Sequence, residues 1–249
     1  MNTHLTIITG ASRGLGRALA EDRLKRGDQV LTLSRRPPDL AVPAGAELLP
    51  WQADLANPEP LAAQLAAWLG ARDPQAYASV TLIHNAGVIP RPAPLADSDI
   101  GELSNALRVG LEAPLLLSAA FLRATADWSV PRRLLLISSG LGRRAMAGSA
   151  AYCAAKAGMD HLARALALEE AARPNGARVV SLAPGVIDTD MQAQLRGADP
   201  AMFPERDKFT GLHEQGLLDS PAQAAAKVLK LLDSEAFGSN PVADVRDPA

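Results

Sequence analysis

The stretch Leu5-Thr6-Ile7-Ile8-Thr9-Gly10-Ala11-Ser12-Arg13-Gly14-Leu15-Gly16 is an apolar run that passes directly into spaced glycines. The run Leu5–Thr9 predicts a buried strand, and a helical pattern follows it. Glycines between a strand and a helix allow a tight turn, a close backbone approach and free N–H groups, which a pyrophosphate needs. A glycine cluster alone is also typical of many tight turns, but this context predicts a nucleotide site. Its candidate residues are Gly10, Ser12, Arg13, Gly14, Leu15 and Gly16.

Strand and helix patterns alternate along the rest of the chain. The predicted strands are 5–9, 29–34, 47–51, 80–84, 133–138 and 178–182, with a weak candidate at 242–245. The predicted helices are 14–26, 59–69, 99–108, 111–126 and 150–172, with a final helix at 220–232. The first five strands lack alternation and are rich in Val, Ile and Leu, as in strands covered on both faces. The pattern predicts an α/β fold over residues 1–249: a single-domain Rossmann-type doubly wound parallel sheet with helices on both faces.

Composition excludes several classes of function. The 249 residues are 48% hydrophobic, enough for a full core, and the net charge of −2 predicts neither nucleic-acid nor membrane partners. Cys153 is the single cysteine, which favours a reducing compartment, and the first residues lack a secretory pattern. The four histidines never fall at ligand spacing, so no metal site is predicted. We expect a cytoplasmic protein.

The residues after the second strand bear on the choice of cofactor. An acidic residue there would bind the ribose 2′-hydroxyl of NAD, whereas this chain has Ser34-Arg35-Arg36. Two guanidinium groups favour a 2′-phosphate, to which Arg13 could also reach. The alternative is a solvated basic turn before Pro37. The pattern favours NADP(H) over NAD(H).

Two further turns follow predicted strands. Asp54-Leu55 could contact the adenine edge of a cofactor, or Asp54 could simply cap a turn. Asn85-Ala86-Gly87 forms a turn of small residues, in which the Asn85 amide could tie neighbouring strands together. Because ligands bind outside the carboxyl ends of parallel strands, both turns are candidates for cofactor contacts.

A serine, a tyrosine and a lysine are the candidate catalytic residues. Tyr152 and Lys156 are four positions apart in a helical pattern, so they share one face, one turn apart. A fixed cation beside a phenol is expected to lower the phenol pKa from about 10 towards neutrality. Ser139 follows a predicted strand, so its hydroxyl is expected at the same edge. A Tyr-x-x-x-Lys pair alone occurs by chance in many helices.

Taken together, these motifs resemble the short-chain dehydrogenase/reductase family. The carriers, in order, are 9–16, Asn85-Ala86-Gly87, Ser139, Tyr152-x-x-x-Lys156 and Pro184-Gly185. The resemblance implies hydride transfer between a nicotinamide cofactor and a carbonyl or alcohol. It implies that Tyr152 is the general acid in reduction, that Lys156 lowers its pKa and holds the nicotinamide ribose, and that Ser139 binds the substrate oxygen.

The resemblance also implies roles for the region after the last clear strand. The expected contacts with the nicotinamide and phosphates come from Pro184, Gly185, Val186, Ile187, Thr189 and Met191. A Pro-Gly turn followed by a Thr or Asp helix cap would explain the same residues. Residues at about 190–216 correspond to the substrate lid. The helices at 111–126 and 150–172 are expected to form a homodimer or homotetramer, unless they serve only the core.

A closer resemblance joins the chain to the sepiapterin reductase-like enzymes and bacterial benzil reductases. Its carriers are Ser138-Ser139-Gly140, 151–158 and 184–192. The resemblance implies an NADPH-dependent carbonyl reductase acting on a small ketone, a 1,2-dicarbonyl or a pterin-like substrate. The alternatives are a 3-oxoacyl or alcohol dehydrogenase of the same fold, or a regulator that binds NADP(H) without turnover.

One position departs from the family pattern. Gly110 stands where the family usually has an asparagine whose backbone carbonyl is thought to hold a water of the proton relay. Pro114 has no N–H and cannot bond the carbonyl of Gly110 in an α-helix. Our hypothesis is that this carbonyl keeps the relay intact. A hundredfold gain in turnover on Gly110→Asn would show instead that the native relay is broken.

Overall fold

The computed structural model describes residues 3–247 and contains one parallel sheet of seven strands. The strands are β1 (Thr3–Thr9), β2 (Gln29–Ser34), β3 (Glu47–Gln52), β4 (Tyr77–His84), β5 (Arg132–Ile137), β6 (Arg178–Ala183) and β7 (Val242–Asp244). The sheet order is β3-β2-β1-β4-β5-β6-β7. The chain therefore winds outward in one direction from β1 to β3 and in the other from β4 to β7. This is the predicted doubly wound Rossmann-type sheet, and the prediction is confirmed.

Helices cover both faces of the sheet. They are α1 (Gly14–Lys25), α2 (Pro58–Gly70), α3 (Ile100–Leu107), α4 (Ala113–Ala124), α5 (Ala150–Ala171), α6 (Asp190–Arg196), α7 (Arg206–Glu214) and α8 (Pro221–Leu232). One core cluster joins the sheet to α2, α4 and α5, and a second joins its other face to α1 and α8. Alternate residues of the central strands supply the two clusters: Leu82 faces the first and Ile83 the second.

The region predicted as two separate helices is one continuous helical segment, so that prediction is wrong. A π-helical turn, Arg108–Glu112, joins α3 to α4 where the break was expected. The N–H of Ala113 donates to the carbonyl of Arg108, so the wider turn accommodates Pro114 without ending the helix. Within residues 3–247, the 25-residue helix 100–124 is the one long and apolar enough to span a membrane. More than half of its most apolar window is buried (56%), as in the core helix of a globular protein.

The third strand also differs from expectation. The apolar run at 47–51 predicted a strand covered on both faces, but β3 is an edge strand and is partly exposed along its length. Pro50 lies opposite Thr32 of β2 and is tolerated there because an edge strand pairs on one side only. Sheet order, which the local pattern does not contain, decides this exposure.

Candidate active site

The glycine loop after β1 is held from beneath by β2. The N–H of Gly10 donates to the carbonyl of Leu33 at 2.8 Å, and the N–H of Ala11 donates to Ser34 Oγ at 2.9 Å. Gly10 has φ +70° and Gly14 has φ +55°, values that residues with a side chain rarely adopt. Glycine at these two positions therefore permits the backbone conformation of the loop.

The turn after β4 presses against this loop. Asn85 donates from Nδ2 to the carbonyls of Thr9 and Gly10 at 3.1 and 3.0 Å, and its N–H donates to Thr9 Oγ1. A Cβ added to Gly10 would lie 2.8 Å from Cα of Ala86, and one on Gly16 would collide with the Asn85 amide. The strand tie expected of Asn85 is present, and no side chain fits between the two turns. This backbone cradle suits a phosphate group and meets the requirement for a dinucleotide.

The basic turn after β2 has two different parts. Ser34 is buried beneath the glycine loop, whereas Arg35 and Arg36 are exposed and, within the described part of the chain, make no ion pair or hydrogen bond. Arg13 does not point to them: it forms an exposed ion pair with Asp190 at the start of α6. Two unpaired guanidinium groups next to the cradle fit a 2′-phosphate.

The turn after β3 carries the two candidate adenine contacts. Asp54 is exposed and accepts the N–H of Ala56 at 3.0 Å, which is the turn-capping alternative. Leu55 is buried in the core and 7% exposed, so its side chain is not available to a ligand.

Ser139 and Tyr152 meet above the end of β5. Ser139 caps the short 3-10 turn Gly140–Gly142, and its Oγ accepts the N–H of Leu141 at 3.2 Å. Tyr152 lies in the first turn of α5 and is partly exposed. Burial raises the pKa of Tyr152 to about 12, and hydrogen bonding to Ser139 opposes that rise. The predicted fall of this pKa towards neutrality is therefore wrong for this structure.

The position of Lys156 explains why the pKa of Tyr152 is not lowered. Its Nζ lies 5.6 Å from the centre of the Tyr152 ring and donates to the carbonyl of Ile137 at 2.6 Å. Burial lowers the pKa of Lys156 to about 8, and the carboxylate of Asp160 opposes that fall. The ammonium group is thus held by the end of β5 rather than by the phenol.

Two buried groups near Lys156 were missed at the level of the sequence. His84, at the end of β4, is 1% exposed, bonds Ser118 Oγ through Nε2 at 2.9 Å and has no partner for Nδ1 among the described residues. Burial and the Lys156 charge lower the pKa of His84 to about 3, so it is neutral. Asp160 lies one helical turn after Lys156 and is also 1% exposed. The four-residue spacing of Asp160 from Lys156 is a signal that could have identified it.

Gly110 lies in the π-helical turn and packs against α5. A Cβ at this position would lie 3.1 Å from Cβ of Ala155, the neighbour of Lys156. Replacement by asparagine would therefore press on the helix that carries the candidate catalytic residues. The relay through the Gly110 carbonyl stays a hypothesis.

The loop after β6 closes the site from the other side. Gly185 has φ +84°, and Val186 and Ile187 are fixed by backbone pairing with Asp219. Pro184 and the side chain of Ile187 are buried, whereas Thr189 and Met191 are partly exposed. Thr189 makes no capping bond to α6, contrary to one alternative for this turn. A Cβ on Gly14 would lie 3.5 Å from Thr189 Cγ2, so this loop adjoins the glycine loop.

The region predicted as a lid consists of α6, α7 and the loop between them. A small apolar cluster joins it to the residues that flank Ser139 and Tyr152. The cluster comprises Met146, Leu195 and Phe203, with Ile89, Leu141, Cys153, Ala198 and Phe209 packed around them. Gln194 anchors α6 by donating to the carbonyls of Ile89 and Pro90. Apolar side chains therefore pack next to the Ser139 turn and the first turn of α5.

Comparison with known proteins shows the family to which the chain belongs. The model of the short chain dehydrogenase family matches residues 4–200. The chain is 35% identical over 229 residues to a benzil reductase ((S)-benzoin forming) of Bacillus subtilis, covering 92% of this chain and 93% of the relative. It is 32% identical over 256 residues to the sepiapterin reductase of Rattus norvegicus, covering 97% and 95% of the two chains.

A solved structure shows the same fold. A proposed NAD(P)-dependent gluconate 5-dehydrogenase of Beutenbergia cavernae, with bound NADP at low occupancy, is 31% identical and superposes with a TM-score of 0.79. The match covers 98% of this chain and 96% of that structure.

Proposed function

The chain belongs to the short-chain dehydrogenase family and is an oxidoreductase of that family, and we propose that it reduces small 1,2-dicarbonyl compounds with NADPH. The family acts on small-molecule substrates with a nicotinamide cofactor. One observation carries the proposal: Ser139, Tyr152 and Lys156 meet at the carboxyl edge of the sheet, beside an apolar cluster and next to a glycine cradle.

In this proposal Tyr152 is the general acid. Because burial raises its pKa to about 12, the hydroxyl is protonated at neutral pH and can donate to the oxygen of a reacting carbonyl. Ser139 holds the same oxygen by a hydrogen bond. A bound nicotinamide would supply the hydride to the carbonyl carbon, and Tyr152 would donate the proton that completes the alcohol. The protonated phenol is the form that reduction requires.

Lys156 has two roles in the proposal. Its ammonium, 5.6 Å from the Tyr152 ring centre, stabilises the phenolate that remains after proton donation. It also donates to the nicotinamide ribose, for which it must share or give up its bond to the Ile137 carbonyl.

We propose NADPH as the cofactor because Arg35 and Arg36 are exposed and unpaired within the described residues, beside the glycine cradle. Hydrogen bonds to charged groups contribute about 1.5–3 kcal/mol each, so the double variant Arg35→Ala/Arg36→Ala should raise KM for NADPH at least about tenfold. KM for NADH should change little. Lys230→Ala, an exposed cation on α8, is the control. Equal effects on the two cofactors would contradict the assignment.

The apolar border of the site supports a dicarbonyl rather than a pterin. Leu141 and Cys153, the partly exposed members of this cluster next to Ser139 and Tyr152, offer apolar contacts to alkyl or aryl groups that flank a carbonyl. Asp190, a candidate for binding a pterin amino group, is engaged by Arg13 instead. The B. subtilis relative is named for the reduction of benzil, an aromatic dicarbonyl.

A substrate panel tests this assignment. Initial rates of NADPH oxidation should give a kcat/KM for aryl 1,2-diketones at least tenfold above those for sepiapterin and simple ketones. A preference for sepiapterin would overturn the dicarbonyl assignment. Leu141→Ala, at a partly exposed position, should lower kcat/KM for aryl diketones more than for a small alkyl diketone, because it removes apolar contact area.

We also propose a cytoplasmic homodimer or homotetramer without nucleic-acid or membrane partners. The support is a net charge of −2 and the exposure of Leu115 (46%) and Leu168 (77%) on α4 and α5. Light scattering of the purified protein should give twice or four times the chain mass of 26.1 kDa. A monomer at micromolar concentration would contradict this.

A further inference from the structure

A carboxylate lies buried directly behind the candidate catalytic residues. Asp160 is 1% exposed, and its Oδ1 accepts the Ser181 hydroxyl at 2.7 Å. Its Oδ2 lies 3.3 Å from Nε of Arg143 and has no hydrogen bond among the described residues. A buried charge with so few partners is costly, so a hydrophobic residue would satisfy the fold better.

Arg143 connects this carboxylate to the turn that Ser139 begins. It follows directly after the 3-10 turn Gly140–Gly142, and its own N–H donates to the carbonyl of Gly140. Its guanidinium also donates to the carbonyl of Ala243 at 2.8 Å. The arginine therefore holds the Ser139 turn between α5 and β7.

The Ser139 turn also lies directly on the helix. A Cβ added to Gly142 would lie 2.7 Å from Asp160 Oδ2 and 2.9 Å from the backbone oxygen of Lys156. The backbone of the turn thus contacts the one turn of α5 that carries both Lys156 and Asp160. A shift of this contact would move Ser139 relative to Tyr152 and Lys156.

Asp160 also acts on the charge of Lys156. The titratable groups that face the ammonium are Tyr152 and Asp160 from α5 and His84 from β4. His84 is neutral, so Asp160 supplies the negative charge that opposes the effect of burial on the Lys156 pKa.

We propose that Asp160 is a positioning residue of the active site: through Arg143 and Gly142 it fixes the Ser139 turn on α5. The role in turnover rests on the proposed function. We call this contact of Asp160 with Arg143 and Gly142 the clamp. It is a property of this chain and can be measured without a substrate.

The test compares Asp160→Asn, Arg143→Met and Arg143→Lys. Asp160→Asn keeps the shape and an acceptor for Ser181 but removes the charge. We expect it to lower kcat at least tenfold. We also expect the basic limb of the pH profile, where kcat falls at alkaline pH, to move to lower pH. Arg143→Met should lower kcat without moving that limb, because Asp160 still faces Lys156. Arg143→Lys keeps the charge and should recover part of kcat.

Hydrogen exchange supplies the readout that does not need turnover. Backbone amides of residues 139–144 should exchange faster in Asp160→Asn and Arg143→Met than in the wild type. The control is Glu170→Gln, which breaks a comparably buried ion pair to Arg132 at the other edge of the sheet. It lowers global stability, so it should raise exchange in residues 139–144 no more than in the rest of the sheet.

Unchanged exchange in residues 139–144 would overturn the clamp, and an unshifted basic limb in Asp160→Asn would overturn its effect on Lys156. If Asp160→Asn does not fold, Arg143→Met at its partly exposed position (32%) decides the clamp. A wild type inert towards all carbonyls would refute the proposed function, while the exchange data would still decide the clamp.

Discussion

Charged side chains are paired differently at the two edges of the sheet. The amino edge is where the strands begin, and the carboxyl edge is where they end. At the amino edge, Arg132 lies 3.1 Å from Glu170, and Arg23 and Arg26 lie 2.6 and 2.8 Å from the two oxygens of Asp233. At the carboxyl edge, the Lys156 ammonium is held by a neutral carbonyl and, in the described chain, makes no ion pair. Paired charges stabilise the fold, whereas an unpaired charge is available to a ligand. Arg133 is an exception at the amino edge, because it makes no ion pair in the described chain and its buried Nε has no partner there.

Cavity volume does not identify the candidate active site. Clefts of about 480 and 360 Å³ lie at the amino edge, lined by several of these arginines and by Asp233. Yet α1 and α8 end there, and the negative ends of their dipoles favour cations that belong to the fold. The convergence of the Ser139 and Tyr152 hydroxyls with the Lys156 ammonium, rather than cavity volume, therefore identifies the carboxyl edge as the candidate active site.

Removing the unpaired Lys156 charge should give the largest effect. Lys156→Met is expected to lower kcat by about 10³-fold, since general acid–base groups contribute about 10²–10⁴. Its unfolding midpoint should stay equal to or above that of the wild type, because a buried unpaired ammonium opposes folding. Steady-state kinetics and thermal unfolding check both parts. Turnover retained by Lys156→Met would show that the Lys156 charge at the carboxyl edge is not needed for catalysis.

Breaking the Arg132–Glu170 ion pair at the amino edge should affect stability rather than turnover. Glu170→Gln leaves Arg132 buried without its countercharge, for which we expect a loss of about 3–5 kcal/mol in unfolding free energy. Its kcat should remain within twofold of the wild type at a temperature where it is folded. Denaturant titration and initial rates provide the comparison, and a tenfold lower kcat would show that the edges are coupled.

The pH profile of reduction should reflect the charge of Lys156. Because its pKa is lowered to about 8, the ammonium is lost as pH rises through that value, and kcat should fall about tenfold per unit above it. Tyr152, with a pKa of about 12, should remain protonated over this range. Rates in buffers from pH 6 to 10 test this, and a rate that rises above pH 8 would contradict it.

The buried imidazole behind Lys156 should make the protein sensitive to acid. The pKa of His84 is about 3 in the fold against 6.5 for a free imidazole, so between these values the unfolded chain binds more protons. Stability should fall as pH drops through this window, by at most about 1.4 kcal/mol per unit. His84→Gln should flatten that slope, whereas His213→Gln, at an exposed site (52%), should not. Equal slopes in all three proteins would exclude His84 as the cause.

Much of the fold could be predicted because its signals are local. Apolar runs, glycines at 10, 14 and 16, and the spacing of Tyr152 and Lys156 predict the strands, the first turn and the helix face. A parallel sheet then brings the strand ends to one edge without further information.

The rest depends on contacts between distant segments. The exposure of β3 follows from its place at the edge of the sheet. The π-helical turn at 108–112 depends on how the helix accommodates Pro114, and an α-helical pattern does not contain it. The pKa of Tyr152 could not be predicted because Lys156 bonds Ile137 on another element. The proximity of Asp160 to Arg143 likewise needs the folded chain.

NADPH oxidation with an aryl 1,2-diketone, measured for the wild type and Tyr152→Phe, tests the carboxyl-edge reductase site most directly. We expect turnover in the wild type and a loss of about 10³-fold in the variant, with NADPH affinity unchanged, because only the donated proton is removed. Tight NADPH binding without turnover in the wild type, or equal turnover in the two proteins, would contradict the assignment of the carboxyl edge as a reductase site.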